Sequence, residues 1–165
     1  MQTNSEHRPA AAPWIASYEL TRRGFERTLA GITDADALLA PVPGINPVNW
    51  LVGHTLLYRD RIHAVLGLDP AWLENLGTSD LYRSGVSPSA VELSVPLTTL
   101  RAALECSQDT VVTKLAHLAA EDLAAAATPT RTVAEQLALF GAHDMYHLGQ
   151  IAMVRRLLGK PRALG

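Results

Sequence analysis

The chain has 165 residues, 48% of them hydrophobic and 18% charged, with a formal net charge of -2 and a pI near 6.3. These totals fit one globular domain with a sizeable core, exclude a disordered chain, and give no electrostatic case for nucleic acid. No apolar run approaches the ~18–20 residues of a membrane span, residues 1–9 lack the apolar segment of a signal peptide, and the single cysteine, Cys106, excludes an internal disulfide framework and suits a reducing cytoplasm.

In chain order, Met1 to about Ala12 reads as a loose leader to a single domain within residues 1–165. Trp14, Ile15, Tyr18, Phe25 and Leu29 mark one face of a first helix over Pro13–Leu29, with Gly31 as its stop. Gly24 weakens that helix, because glycine costs ~1 kcal/mol relative to alanine. Pro41, Pro43 and Gly44 make Thr33–Ile45 a connection, with room for a short turn over Asp34–Leu39. Asn46 as N-cap and Pro47 at the first helical position open a second helix that runs to Leu66 and stops at Gly67. A wheel centred on His54 puts Trp50, Leu51, Leu57, Tyr58, Arg61 and Val65 on or beside its face, with His63 on the opposite, solvated side.

Leu68–Pro96, with Pro70, Gly77, Gly85 and Pro88, is a loop of a length usually reserved for a lid or a wrapped crossover. Trp72, Leu73, Leu76, Leu81 and Tyr82 predict that it packs on the body, and Ser87–Glu92 offers a short helical turn. A third helix follows over Leu97–Leu118, striped by Leu100, Leu104, Val111, Leu115 and Leu118. A break is expected at Thr128-Pro129. Thr132-Val133-Ala134-Glu135 is a capping box for a fourth helix to about Leu158, closed by Gly159 and Pro161, with Arg155 and Arg156 complementing its dipole. No repeat and no strand pattern stands out. Four long helices predict an all-α four-helix bundle with a long loop between helices 2 and 3.

The chemistry concentrates on histidines. His143 and His147 are four residues apart, so they share one face of the fourth helix, and that face is the apolar stripe of Gln136, Phe140, Gln150, Ile151, Val154 and Leu158. Two imidazoles so placed can close on one metal, and His54, on the apolar face of the second helix, is the best third ligand. The alternative is three core histidines satisfied by hydrogen bonds. Gly-x-Ser-x-Gly, P-loop and dinucleotide fingerprints are absent, and so is the Glu-x-x-His pattern of a di-iron bundle on these two helices.

Asn46-Pro47-Val48-Asn49-Trp50-Leu51-Val52-Gly53-His54 and His143-Asp144-Met145-Tyr146-His147-Leu148-Gly149-Gln150-Ile151 resemble the two signature stretches of the DinB/YfiT-like superfamily, in order, separation and the Gly-Gln-Ile ending. The resemblance covers Trp14 to Pro161. It implies a bundle with a mirror variant of up-and-down topology, and one divalent metal, zinc or nickel, on His54, His143 and His147. It also implies, for some relatives, a low-molecular-weight thiol cosubstrate in S-transfer or isomerisation. The chain is thus expected to be a cytoplasmic, mononuclear metal-dependent enzyme acting on a small molecule, a thiol transferase or a hydrolase-like enzyme, without nucleic-acid or membrane partners and with homodimer formation in keeping with relatives. The rival is a non-catalytic metal-binding stress-response or scaffold protein that has kept the triad.

Around the triad, Gln150 is placed to orient a ligand or bound water, Arg61 to grip a carboxylate bidentately or form an ion pair, Tyr58 to line the site, and Trp50 to pack beside the metal. Asp144 and Tyr146 point away from the His143/His147 axis, so Asp144 reads as a surface carboxylate, or as an acceptor for a ligand on a neighbouring helix. Cys106 reads as buried or inert, and His7 and His117 as surface residues.

Overall fold

The computed structural model describes residues 9–72, 76, 79–86, 89, 92–93 and 95–164. Residues 1–8, with His7, lie outside the described residues, as do Leu73 and residues 87, 88, 90 and 91 of the expected Ser87–Glu92 turn; Ala11, inside the expected leader, is instead buried in the core, because α1 begins at Ala12. The four long helices form where the apolar stripes predict them, α1 (Ala12–Leu29), α3 (Val48–Leu66), α4 (Leu97–Ala116) and α6 (Val133–Leu157); the short turn expected in the first connection is the single-turn α2 (Asp34–Ala37), and the short α5 (Ala120–Ala124) was not expected. A 3-10 turn over Ser79–Tyr82 lies in the long crossover. Among the described residues no helix is long and apolar enough to cross a membrane.

Local chemistry explains the ends. Thr132 Oγ1 accepts from the Glu135 amide and the Glu135 carboxylate accepts from the Thr132 amide, so the predicted capping box forms. Gly67 takes the left-handed conformation (φ 64°) that closes α3. Asn46 does not cap α3. Pro47, with ψ at 158°, is the N-cap, and the helix starts one residue later. Arg155 serves another helix than its own: its guanidinium donates to the carbonyls of Thr28 (3.1 Å) and Ala30, the C-terminal end of α1.

One expectation fails between α4 and α6. The alanine-rich stretch after α5 pairs as a small antiparallel hairpin, β1 (Ala126–Thr128) with β2 (Arg131–Thr132), turning at the Thr128-Pro129 break. Strands this short leave too few residues for an alternating pattern to show.

α1 and α3 each pack on both α4 and α6, so α1 and α3 occupy opposite corners of the bundle. The connections α1–α3 and α4–α6 therefore cross its ends diagonally, and only the α3–α4 crossover joins neighbours, which is the departure from a plain up-and-down bundle. Leu148 of α6 packs directly on Gly24 of α1: a Cβ there would sit 2.3 Å from Leu148 Cδ2.

The core has two apolar clusters. One holds Phe25, Leu56, Leu104 and Leu148, the other Tyr18, Ile62, Val111 and Phe140. Between them every long helix contributes a buried polar residue: Thr21 from α1, Arg59 from α3, Gln108 from α4 and Asp144 from α6. Arg59 Nη2 meets Asp144 Oδ2 at 2.8 Å with both side chains at most 1% exposed, and its guanidinium lies 5.1 Å from the centre of the Tyr18 ring. Asp144 is thus neither a surface carboxylate nor an acceptor for a histidine. Burial pushes its carboxyl up to about 6, against the pull of Arg59.

Candidate metal centre

His54 comes from the middle of α3, and His143 and His147 from the middle of α6, two helices packed directly on one another. The i, i+4 spacing puts the α6 pair one above the other, as predicted. The three meet through Nε2: His143 to His54 at 3.3 Å and His147 to His143 at 3.1 Å. Ligand nitrogens around one zinc, at ~2.0–2.1 Å each, lie roughly 3.0–3.4 Å apart. Among the described residues, His54, His143 and His147 are the histidine, cysteine and acidic groups arranged to hold a metal ion.

The proton arrangement tests whether such an ion fits. His54 Nδ1 lies 2.6 Å from the Tyr82 carbonyl and must donate to it. His147 Nδ1 lies 2.7 Å from Gln150 Oε1 and donates to it with the amide in this orientation, in which the Gln150 amide nitrogen donates to the Tyr146 hydroxyl at 3.0 Å. In neutral rings both Nε2 atoms then carry lone pairs, and both point at His143 Nε2, which can return at most one proton. A divalent cation satisfies all three.

Charge points the same way. Burial, and then the neighbouring His147 and His54, depress the proton affinity of His143 to about 3. Burial outweighs the Gln150 bond and lowers His147 to about 4, and burial lowers His54 against its bond to Tyr82. The rings are neutral at pH 7, the form a metal needs.

Each imidazole has an aromatic neighbour. Trp50 stacks on His54 at 4.5 Å between centroids and 11°, Tyr58 stacks on His143 at 3.7 Å and 14°, and Tyr146 meets His147 edge-on at 5.0 Å. Arg61 lies on the exposed rim with its guanidinium 4.3 Å from the centre of the Tyr58 ring, and it has no carboxylate partner among the described residues. His54 and His147 are buried while His143, Tyr58 and Gln150 are half-buried, so the centre faces outward on the Tyr58–Arg61 side.

The structure corrects three other readings. Tyr146, though mostly exposed, reaches back to the site through Gln150. His63 is not solvated: it is buried, donating Nδ1–H to the Asp69 carbonyl with Nε2 2.8 Å from Ser107 Oγ. α3 packs on α6 with one face and α4 with the other, so it has no fully wet side. Cys106 is exposed on α4 and borders a cavity of about 250 Å³ with His63 and Ser107, on a helix that supplies no triad ligand. His117 is exposed as expected. Sequence reasoning missed Arg59 and the Tyr82 carbonyl. A buried arginine leaves no local signal, and a backbone acceptor leaves none at all.

A family model described as the DinB superfamily matches residues 17–151. A crystal structure titled as the conserved protein of a locus from Enterococcus faecalis has 26% sequence identity and a TM-score of 0.75, over 92% of this chain and 99% of that one. No curated protein matches the chain.

Proposed function

The chain belongs to the DinB superfamily, and on that premise we propose that it is a mononuclear metal-dependent transferase using a low-molecular-weight thiol as cosubstrate. The observation that carries the reading is the convergence of three proton-poor Nε2 atoms at a centre that opens toward an exposed arginine. His54, His143 and His147 would hold one zinc or nickel ion. Such an ion supplies Lewis acidity, lowering the pKa of a thiol or water so that a nucleophile exists at neutral pH.

The remaining steps belong to side chains. Gln150 holds the proton of His147 on Nδ1. Tyr58, flat against His143 and under the Arg61 guanidinium, would hold both side chains in place beside a small substrate. Arg61, free of carboxylate partners among the described residues, would bind a carboxylate of the thiol or of its electrophilic partner, fixing orientation. Trp50 excludes water behind His54.

The test is thiol-dependent turnover. Zinc- or nickel-loaded protein is incubated with a panel of low-molecular-weight thiols and electrophiles, beside His147→Ala and Arg61→Gln. The proposal expects product with at least one thiol, loss of it in His147→Ala, and a raised KM for the carboxylate-bearing reactant in Arg61→Gln. Stoichiometric metal with no turnover across the panel favours the scaffold reading. Activity that survives His147→Ala excludes metal-dependent catalysis.

A further inference from the structure

We propose that the Ser79–Tyr82 turn of the crossover is a positioning element of the histidine centre, and that its docking on α3 and metal binding strengthen one another. The inference rests on the metal reading above and deepens it.

The N-terminal half of α3 is built to receive this turn. Trp50 Nε1 donates to the Leu81 carbonyl at 2.9 Å, His54 Nδ1 donates to the Tyr82 carbonyl at 2.6 Å, and the Tyr82 hydroxyl donates to Asn49 Oδ1 at 3.1 Å. The same Asn49 donates to the Val95 carbonyl, near the far end of the crossover, at 2.8 Å. Tyr82 is 1% exposed. Its ring occupies the space of a missing side chain: a Cβ on Gly53 would lie 2.2 Å from Tyr82 Cδ1 and 2.3 Å from Cε1. Gly53 has an ordinary helical backbone, so its role here is to give room to that ring, immediately before a triad histidine.

The consequence for His54 is chemical. With its proton on Nδ1 bonded to the Tyr82 carbonyl, Nε2 is left as the lone pair that faces His143. Without the carbonyl, the ring is free to take the other tautomer or to rotate. A backbone acceptor of this kind fixes a metal-binding imidazole's tautomer and orientation and raises its basicity, and losing one typically costs ~10–100-fold in metal affinity. Linkage makes the effect reciprocal: whatever the docked turn adds to metal affinity, the metal adds to docking.

The experiment uses the full chain with zinc as the probe. Zinc affinity is measured by competition with a chelator for the wild type and Gly53→Ala. Amide hydrogen exchange across residues 79–86 is followed with and without zinc, and the His54 tautomer is read by imidazole nitrogen NMR in the metal-free state. The expected result is a Nδ1-protonated His54 in the wild type, slower exchange of that segment with zinc, and zinc binding ~10–100-fold weaker in Gly53→Ala with helical content retained. Should Gly53→Ala fail to fold, Trp50→Phe removes the bond to Leu81 while keeping a ring on His54, and carries the same expectation in direction. Wild-type zinc binding with an unweakened variant, or with exchange in 79–86 indifferent to zinc, overturns the coupling and leaves the metal reading standing. A wild type that binds no zinc overturns both.

Discussion

Each outer imidazole of the triad is held at two points, by an oxygen on Nδ1 and by a partner nitrogen on Nε2. Burial makes protonation of these rings costly, and the sign of the pH effect follows. His143 and His147 bind protons at about 3 and about 4 in the folded chain, against ~6.5 when unfolded. As pH falls below ~6.5 the unfolded chain takes up protons that the folded chain refuses, so stability drains away down to those values. Asp144, raised to about 6, works in the opposite direction between there and its unfolded value, one group against three. The metal-free protein is therefore expected to show a lower denaturant midpoint at pH 5 than at pH 7.5, and an equal or higher midpoint at pH 5 contradicts this account. His143, His147 and Gln150 were legible in the sequence because helical spacing puts them on one stripe of α6, and His54 because it is a polar residue on the apolar face of α3. Tyr146 was not, since its hydroxyl returns to the site through a second side chain rather than along its own direction.

Polar contacts join the elements beside the apolar core. The Arg59–Asp144 ion pair ties α3 to α6 immediately beside His143, and Arg59 Nε and Nη1 and both Asp144 carboxylate oxygens make no hydrogen bond among the described residues. Asp144→Ala leaves a buried guanidinium uncompensated, and a loss of ~3–5 kcal/mol is expected on unfolding. Replacing both partners, Arg59→Met with Asp144→Leu, is expected to recover most of that loss. A double variant as unstable as the sum of the single ones contradicts the assignment. Thr132→Ala removes one half of the α6 capping box, for an expected cost of ~1 kcal/mol in denaturant unfolding; no change would mean that the box contributes nothing. That box was legible because all of its partners lie within four residues. The Arg59–Asp144 pair was not, because its two halves are 85 positions apart on helices whose mutual rotation no single-helix wheel contains. The same limit explains His63, read as wet from a wheel that allowed α3 only one buried face.

At the scale of the whole molecule, apolar periodicity was enough to give four long helices, and their number and length gave the bundle. It did not give the corner positions. α1 and α3 lie on a diagonal, each packed on both α4 and α6, and the close approach of α1 to Leu148 of α6 at Gly24 appears in the sequence only as an unfavourable helix residue. The long crossover was legible as wrapped, through its apolar residues. Its contact with His54 was not, since the acceptor is a backbone carbonyl. The resulting molecule sets a histidine triad drawn from two helices against a turn of the crossover that follows α3, and a bound cation would draw α3, α6 and the Tyr82 turn together. That arrangement stands or falls on one number, the metal content per chain of untagged protein beside His54→Ala, determined by elemental analysis. The account predicts about one zinc or nickel per wild-type chain, lost in the variant, in keeping with a three-histidine centre. No metal in the wild type after reconstitution with either ion would contradict it and return the three histidines to the core as hydrogen-bonded residues.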